Sequence, residues 1–331
     1  MGIVDTISTV AQLPTLLKLK KGMQPREIDE KDCLGAQVEK NARQFGQSKA
    51  IVFEGVELNW SEFNAISNRF ANSFREQGLV PGDTASVFME NRIEFLATII
   101  ALNKMGITAA LINTNLTGRP LAHCISVTKS KKCIVGEERL EQLAGIKDDL
   151  ELKDGKDFLV VKDQGEAAEP NWAIDLSQVA AQQDESNPPE TVERTLGETA
   201  LYIFTSGTTG LPKAAIMSNR RYLSSAALAA VAGLKCTPQD TLYLCLPLYH
   251  TTGLLIGAGS AFHSGAAMFI RRKFSASNFL PEVRDNDCTC LVYIGELCRY
   301  LTNTNPQKSD KNNPLRSMMG NGMRPDVWMD F

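Results

Sequence analysis

The chain has 331 residues, 43% of them apolar and 22% charged, with a formal net charge of −3. That is the composition of an ordinary globular protein with room for about two domains. No basic stripe interleaves with aromatic residues, so no nucleic-acid partner is expected, and any anionic substrate has to be met by local groups.

Residues 1–26 form the first segment. Ile3, Ile7, Val10, Leu13 (or Pro14) and Leu17 recur at helical spacing, with Lys18, Lys20 and Lys21 just beyond. An amphipathic helix resting on a membrane has this pattern, and so does a helix packed on its own domain. The packed reading is preferred, peripheral membrane contact through residues 1–21 is the alternative, and Pro14 counts against both. Neither a secretory signal nor an apolar run long enough to span a bilayer is visible. The expected location is therefore cytoplasmic, at most peripheral at the cytoplasmic face of a membrane.

Residues 27–195 read as a first α/β lobe. Residues 52–58 alternate around Glu54-Gly55, a hairpin pattern. Ser61 is expected to cap a helix whose apolar face is Phe63, Ile66, Phe70 and Phe74, stopped by Gly78. Pro81-Gly82-Asp83 turns the chain into a buried strand at 85–89. A helix follows over about 93–105, stopped by Gly106, and then an apolar run at 108–112. Strands alternating with helices of this length predict a parallel sheet covered on both faces. Short strands are expected at 134–135 and 158–161. Residues 162–195 turn polar, acidic and proline-bearing, and read as a linker on the surface.

The second lobe, residues 196–331, opens on a strand-like run, Leu201-Tyr202-Ile203-Phe204. The loop that follows carries Thr205, Ser206, Gly207, Thr208, Thr209, Gly210 and Lys213. Two glycines let the backbone bring its N–H groups close to an anion. Four hydroxyls add donors, Lys213 adds a mobile positive charge, and Pro212 stiffens the exit. This mixture suits a polyphosphate. It is not a Walker loop, because Gly210 is followed by Leu-Pro-Lys-Ala. A helix is expected over about 219–232, a strand over 241–246, then Pro247-Leu248-Tyr249-His250. A small-residue run, 252–265, and a strand at 267–270 come next. Ligands in such sheets bind beyond the carboxyl ends of strands, which would let the loop and His250 share one crevice.

Thr205-Ser206-Gly207-Thr208-Thr209-Gly210-Leu211-Pro212-Lys213 resembles the signature loop of the adenylate-forming enzymes, and residues 247–253 resemble that superfamily's next motif. Residues 112–123 (Ile-Asn-Thr-Asn-Leu-Thr-Gly-Arg-Pro-Leu-Ala-His), residues 292–300 and Gly320-Asn321-Gly322-Met323-Arg324-Pro325 are similar to the fatty acid transport protein branch, the very-long-chain acyl-CoA synthetases. The similarity spans about residues 27–331. It implies an α/β fold of two stacked lobes, the N-terminal domain of such an enzyme without its C-terminal domain. The implied activity is ATP-dependent joining of a long or very long chain fatty acid to CoA through an acyl-adenylate, with Mg2+ assisting. Two alternatives stay open: a CoA ligase for another carboxylic acid (aryl, bile acid or carnitine-like), and a non-catalytic module for fatty acid binding or uptake.

The resemblance also assigns roles. Residues 205–213 would cradle the β and γ phosphates, with Lys213 and His250 as the catalytic pair and His250 orienting carboxylate and phosphate. Gly320, Asn321 and Gly322 would lie against adenine. Tyr249, Gly257, Tyr293, Gly295 and Glu296 would line the acyl site, with the glycines of 252–265 leaving a slot for a slim alkyl chain. Thr208 or Thr209 is placed to reach Mg2+, but the family's main carboxylate ligand, its ribose-holding segment and its C-terminal lysine have no counterpart in these residues, so no metal ligand is assigned. A fragment deficient in catalysis is the expectation.

Eight cysteines are scattered along the chain. The spacing of Cys288, Cys290 and Cys298 is wrong for zinc and no histidine lies nearby, so buried thiols are expected. His123 and His263 are read as structural.

Overall fold

The computed structural model describes residues 26–165, 170–205, 210–305 and 307–331. The amphipathic pattern of residues 1–21 and the middle of the hydroxyl-rich loop, 206–209, lie outside them. Thirteen strands are present among the described residues: β1 (Lys49–Phe53), β2 (Val56–Asn59), β3 (Thr84–Phe88), β4 (Thr108–Leu111), β5 (Lys132–Gly136), β6 (Phe158–Val161), β7 (Ile174–Asp175), β8 (Thr199–Thr205), β9 (Lys213–Ser218), β10 (Thr241–Leu244), β11 (Ala267–Ile270), β12 (Cys290–Ile294) and β13 (Ser317–Asn321). They form a seven-stranded sheet, β7-β6-β5-β3-β4-β8-β9, and a six-stranded sheet, β13-β12-β10-β11-β1-β2.

Each sheet is parallel except at one edge. The Glu54-Gly55 hairpin makes β1 and β2 antiparallel, with Phe53 opposite Val56. β8 and β9 are also antiparallel, with Thr205 opposite Lys213. The fold is thus α/β with two mixed sheets. The strands do not divide at residue 196: the hairpin β1–β2 belongs to the sheet of β10–β13, and β8–β9 belongs to the sheet of β3–β7. Pairing follows which apolar edge is open, not the order of segments along the chain.

The helices explain how the sheets are joined. Helix α1 (Leu34–Phe45) is followed by α2 (Trp60–Glu76), α3 (Ile93–Lys104) and α4 (Gly118–Val127). Asn59, not Ser61, caps α2: its side chain accepts from the Glu62 N–H at 2.9 Å, while Glu62 accepts from the Asn59 N–H at 2.8 Å. This reciprocal box satisfies two otherwise unpaired donors, which Ser61 one residue later cannot do. In α3 every residue from Phe95 to Lys104 is buried, as an apolar-all-round helix requires. Across the α1–α2 side, Trp60 donates to the Gly265 carbonyl at 3.1 Å and Asn41 to that of Phe262 at 2.7 Å. One continuous apolar core therefore runs from the first helices to residues 242–270 and on to β12.

The helix Asn219–Leu228 continues as a π-helical turn, Ala229–Leu234. The small-residue run is likewise a π-helical turn, Thr252–Ala258, running into an α-helix, Gly259–Ser264. The polar stretch 162–195 contains β7 and a helix, Leu176–Ala181, so it is not wholly linker. Asn68 and Asn72 donate to its carbonyls at Glu185 and Asp184, pinning it to α2. No described helix is long and apolar enough to cross a membrane.

Candidate functional site

The carboxyl ends of strands from both sheets meet. Asn91, just beyond β3, donates to the carbonyls of Leu246 (2.9 Å) and Arg271 (3.1 Å) and accepts from the Leu248 N–H at 2.8 Å. One asparagine thereby fixes the segments after β10 and β11 against the end of β3. It is 4% exposed, so these bonds are sheltered from water. A second bridge lies one strand over: Asn115, beyond β4, donates to the Tyr249 hydroxyl at 3.4 Å. Because β4 neighbours β8, this brings Tyr249 and His250 to the side of the seven-stranded sheet from which the hydroxyl-rich loop departs.

That loop leaves β8 at Thr205 and re-enters the sheet at Lys213. Gly210 has φ +90°, a left-handed conformation that a side chain would strain. Thr205, Gly210 and Lys213 are exposed, and among the described residues no carboxylate pairs with Lys213. The loop's exit is tied to α4, where His123 Nε2 lies 3.1 Å from the Pro212 carbonyl. His123 was expected to be structural, and it does hold structure, but the structure it holds is the phosphate-loop candidate.

Tyr249 is buried and its phenol is pushed above its ordinary pKa by burial, against a hydrogen bond from Thr114. The exposed His250 packs its ring at 4.7 Å from that of Tyr249. Partial desolvation lowers the imidazole's pKa, which keeps it neutral at pH 7. A neutral imidazole can both donate and accept, as orientation of a carboxylate beside a phosphate demands.

The other predicted residues gather at β12 and β13. Tyr293 is opposite Gly320 and Ile294 opposite Asn321 in a parallel pair. Gly320 and Asn321 are therefore strand residues rather than a free turn, and Gly322 follows with φ +70°. A Cβ on Gly295 would strike the Gly322 carbonyl, and one on Gly320 would lie 2.5 Å from the Tyr293 ring. These glycines exist so that two strands' ends can touch. Glu296 is exposed on the helix Gly295–Thr302 and held by Arg299 at 3.0 Å, which lowers its pKa.

Gly257 departs from expectation. A Cβ there would meet Leu244 Cδ2 at 2.7 Å, and one on Gly259 would meet Ala226 Cβ at 2.9 Å. The small residues seat this helix on β10 and on Asn219–Leu228, so at these positions they give close packing rather than an open slot. All eight cysteines are unpaired and seven are buried, as expected. Sequence reasoning passed over Asn91 and Asn115 and gave His123 a structural role without placing it at the loop. Asn115 and His123 lay inside the quoted 112–123 motif, whereas nothing local marks Asn91, whose role depends on chain more than 150 residues away.

The profile of the AMP-binding enzyme family matches residues 38–331. A medium/long-chain-fatty-acid–CoA ligase of Mycobacterium tuberculosis, FadD6, is 33% identical over 303 residues, covering 92% of this chain and 49% of that protein. Long-chain fatty acid transport protein 1 of Homo sapiens is 36% identical over 287 residues, covering 85% of this chain and 44% of that one. The chain thus spans about half the length of these relatives. Among solved structures, the inhibitor-bound N-terminal domain of FACL13 from Mycobacterium tuberculosis superposes with a TM-score of 0.77 at 19% identity, over 90% of this chain and 72% of that one.

Proposed function

The chain belongs to the AMP-binding enzyme family, and from that premise we propose that it provides the ATP- and carboxylate-binding half of an enzyme that activates long-chain fatty acids as CoA thioesters. A carboxylate is a poor acyl donor, since its leaving group would be oxide. Attack of a carboxylate oxygen on the α-phosphorus of ATP forms the acyl–AMP anhydride and releases pyrophosphate; a thiol then displaces AMP. The first step asks mainly that two anions be held in line and that charge developing on the phosphates be neutralised.

The Asn115–Tyr249 bridge carries this reading, because it joins the segment of His250 to the strand ends beside Thr205 and Lys213. Residues 205–213 hold the β and γ phosphates, with Lys213 as the mobile cation. His250 orients the carboxylate. Tyr293 and Gly295 line the acyl side, and Gly320–Gly322 the adenine side. Thr208 or Thr209 would be the residue to hold Mg2+, which would supply neutralisation of the charge on the phosphates. What favours a fatty acid over an aryl or bile acid is the similarity to a fatty-acid–CoA ligase and a fatty acid transport protein over more than four-fifths of the chain.

AMP release, measured with palmitate, ATP and CoA against benzoate and cholate in their place, tests the reading in a protein of the relatives' full length. Palmitate-dependent AMP is expected. AMP only with benzoate or cholate would replace the substrate, and no AMP with any of the three, despite palmitate binding, would favour the uptake module.

A further inference from the structure

Away from this crevice, at the amino ends of β10 and β12, three ligand-bearing side chains converge. Cys236, Asp240 and Cys290 place their sulfur and oxygen atoms within 4.8 Å of one another. The set looks at first like a cation site, but the carboxylate is already spent. Asp240 Oδ1 accepts from Thr289 Oγ1 at 2.6 Å and Arg316 Nε at 2.9 Å. Its Oδ2 accepts from the Thr237 N–H and hydroxyl, both at 2.8 Å, and from Arg316 Nη2. A cation would have to displace these donors and sit beside a guanidinium.

We infer that Cys236 and Cys290 instead form a dithiol that a hydroperoxide converts reversibly to an intramolecular disulfide. The geometry presents the two sulfurs to each other from separate segments held by one knot. Cys236 follows the π-helical turn and its N–H donates to the Ala230 carbonyl at 2.8 Å. Arg316 donates to the Lys235 carbonyl at 2.9 Å while gripping Asp240, which fixes the segment carrying Cys236. Cys290 opens β12, where Leu242 and Ser317 flank it in the sheet. The backbones that carry the two sulfurs are thus held in place beside each other.

Access and charge are divided between them. Cys236 is partly exposed and Cys290 fully buried. The two sulfurs face each other, and this contact lowers the pKa of Cys290 while raising that of Cys236, with the Arg316 guanidinium also favouring charge on Cys290. Ser264 Oγ donates to Cys236 Sγ at 3.3 Å and supports a thiolate there once the shared proton moves. The accessible sulfur meets the oxidant and the buried one resolves it.

The steps balance. Cys236 Sγ attacks the outer peroxide oxygen, the S–O bond forms, the O–O bond breaks, and the leaving oxygen departs as alcohol (water, for hydrogen peroxide) with one thiol proton. Cys290 Sγ then attacks the sulfenic sulfur, the S–S bond forms, the S–O bond breaks, and water leaves with the second thiol proton. Two electrons pass from the two thiols to the hydroperoxide. A dithiol reductant reverses the change.

The test is thiol mapping of the full chain. The protein is treated with hydrogen peroxide, quenched by alkylation in denaturant, and its peptides are mapped without reduction. The expected result is loss of two alkylatable thiols of the eight, a linked peptide pair containing Cys236 and Cys290, and full recovery with dithiothreitol. In Cys290→Ser, Cys236 should stop at a sulfenic acid that dimedone traps. The inference is overturned if both cysteines stay alkylatable while others oxidise, if each pairs with a different cysteine, or if the purified protein carries one metal ion per chain that protects both.

Discussion

Lys104 and Lys213 are the same residue in opposite surroundings. Lys104 ends α3, is fully buried, and gives its ammonium to Asn64 Oδ1 at 2.6 Å, Asn68 Oδ1 at 2.5 Å and Glu39 Oε1 at 3.2 Å. Lys213 stands exposed where the β9 edge meets the hydroxyl-rich loop, with no carboxylate partner among the described residues. A buried cation whose donors are all taken ties α1, α2 and α3 together and has nothing left for a ligand. An exposed one beside glycine and hydroxyls has its donors available for phosphate. Exposure and partner count, rather than residue type, separate the structural cation from the one proposed to meet phosphate.

The largest effect should come from the buried member. Lys104→Ala leaves the buried Glu39 with only Arg43, 3.9 Å away, as a counter-charge and two asparagine oxygens without that donor, and should cost about 3 to 5 kcal/mol of unfolding free energy. Denaturant melts of the two proteins check this; a loss under about 1 kcal/mol would erase the contrast between the two lysines. Desolvation lowers the Lys104 pKa to about 8, against the pull of Glu39. A lowered lysine pKa means the unfolded chain binds the extra proton. The contribution of Lys104 to stability should therefore rise as pH climbs from about 8 toward 10.5, read as the difference between the pH curves of the two proteins.

His250→Ala comes next, and acts on the functional side. Losing the group proposed to orient the carboxylate should slow fatty-acid-dependent ATP–pyrophosphate exchange by roughly ten- to a hundred-fold in the full-length enzyme, with the melting midpoint unchanged. An unchanged exchange rate would reduce His250 to a surface residue stacked on Tyr249. Since desolvation lowers its pKa, His250 should reach half-protonation only at a more acidic pH than an ordinary imidazole.

The smallest effect belongs to a second structural charge. Burial alone would raise the Asp240 carboxyl, but hydrogen bonds from Arg316, Thr289 and Thr237 outweigh it and hold the pKa at about 2. The folded value lies below the unfolded one, so this stability is present above pH 4 and is lost as pH falls toward 2. It should amount to about 1 to 2 kcal/mol. Asp240→Asn should flatten the acid limb of the stability curve by that amount without changing ATP affinity; an unaltered limb would show that the Arg316 clamp is dispensable.

Much of this contrast was legible along the chain, and the illegible parts share one cause. Strands β6 and β11 and the hairpin at Glu54-Gly55 were readable because short apolar runs and turn residues are local signals. The phosphate-binding role proposed for 205–213 rests on a local reading too, because its chemistry is concentrated in nine neighbouring residues. The β9 edge strand was not, since Lys213–Ser218 becomes a strand only by pairing with β8. The capping of α2 by Asn59 hid behind a second good capping residue one place later. The Asn91 and Asn115 bridges, and the encounter of Cys236 with Cys290 rather than of Cys290 with Cys298, join segments that only the crossing of strands between two sheets brings together. Gly257 was ambiguous for the same reason: whether a glycine opens a slot or admits a neighbour depends on Leu244, which no local pattern specifies.

The central claim is that ATP docks in the hydroxyl-and-glycine bend ending at Lys213, and pyrophosphate exchange by a Thr208→Ala/Lys213→Ala double variant tests it most directly. Removing a phosphate-loop donor and its cation together should lower exchange by at least about 10³-fold while leaving the thermal melt in place. Exchange within a few-fold of the unmodified protein would contradict the account.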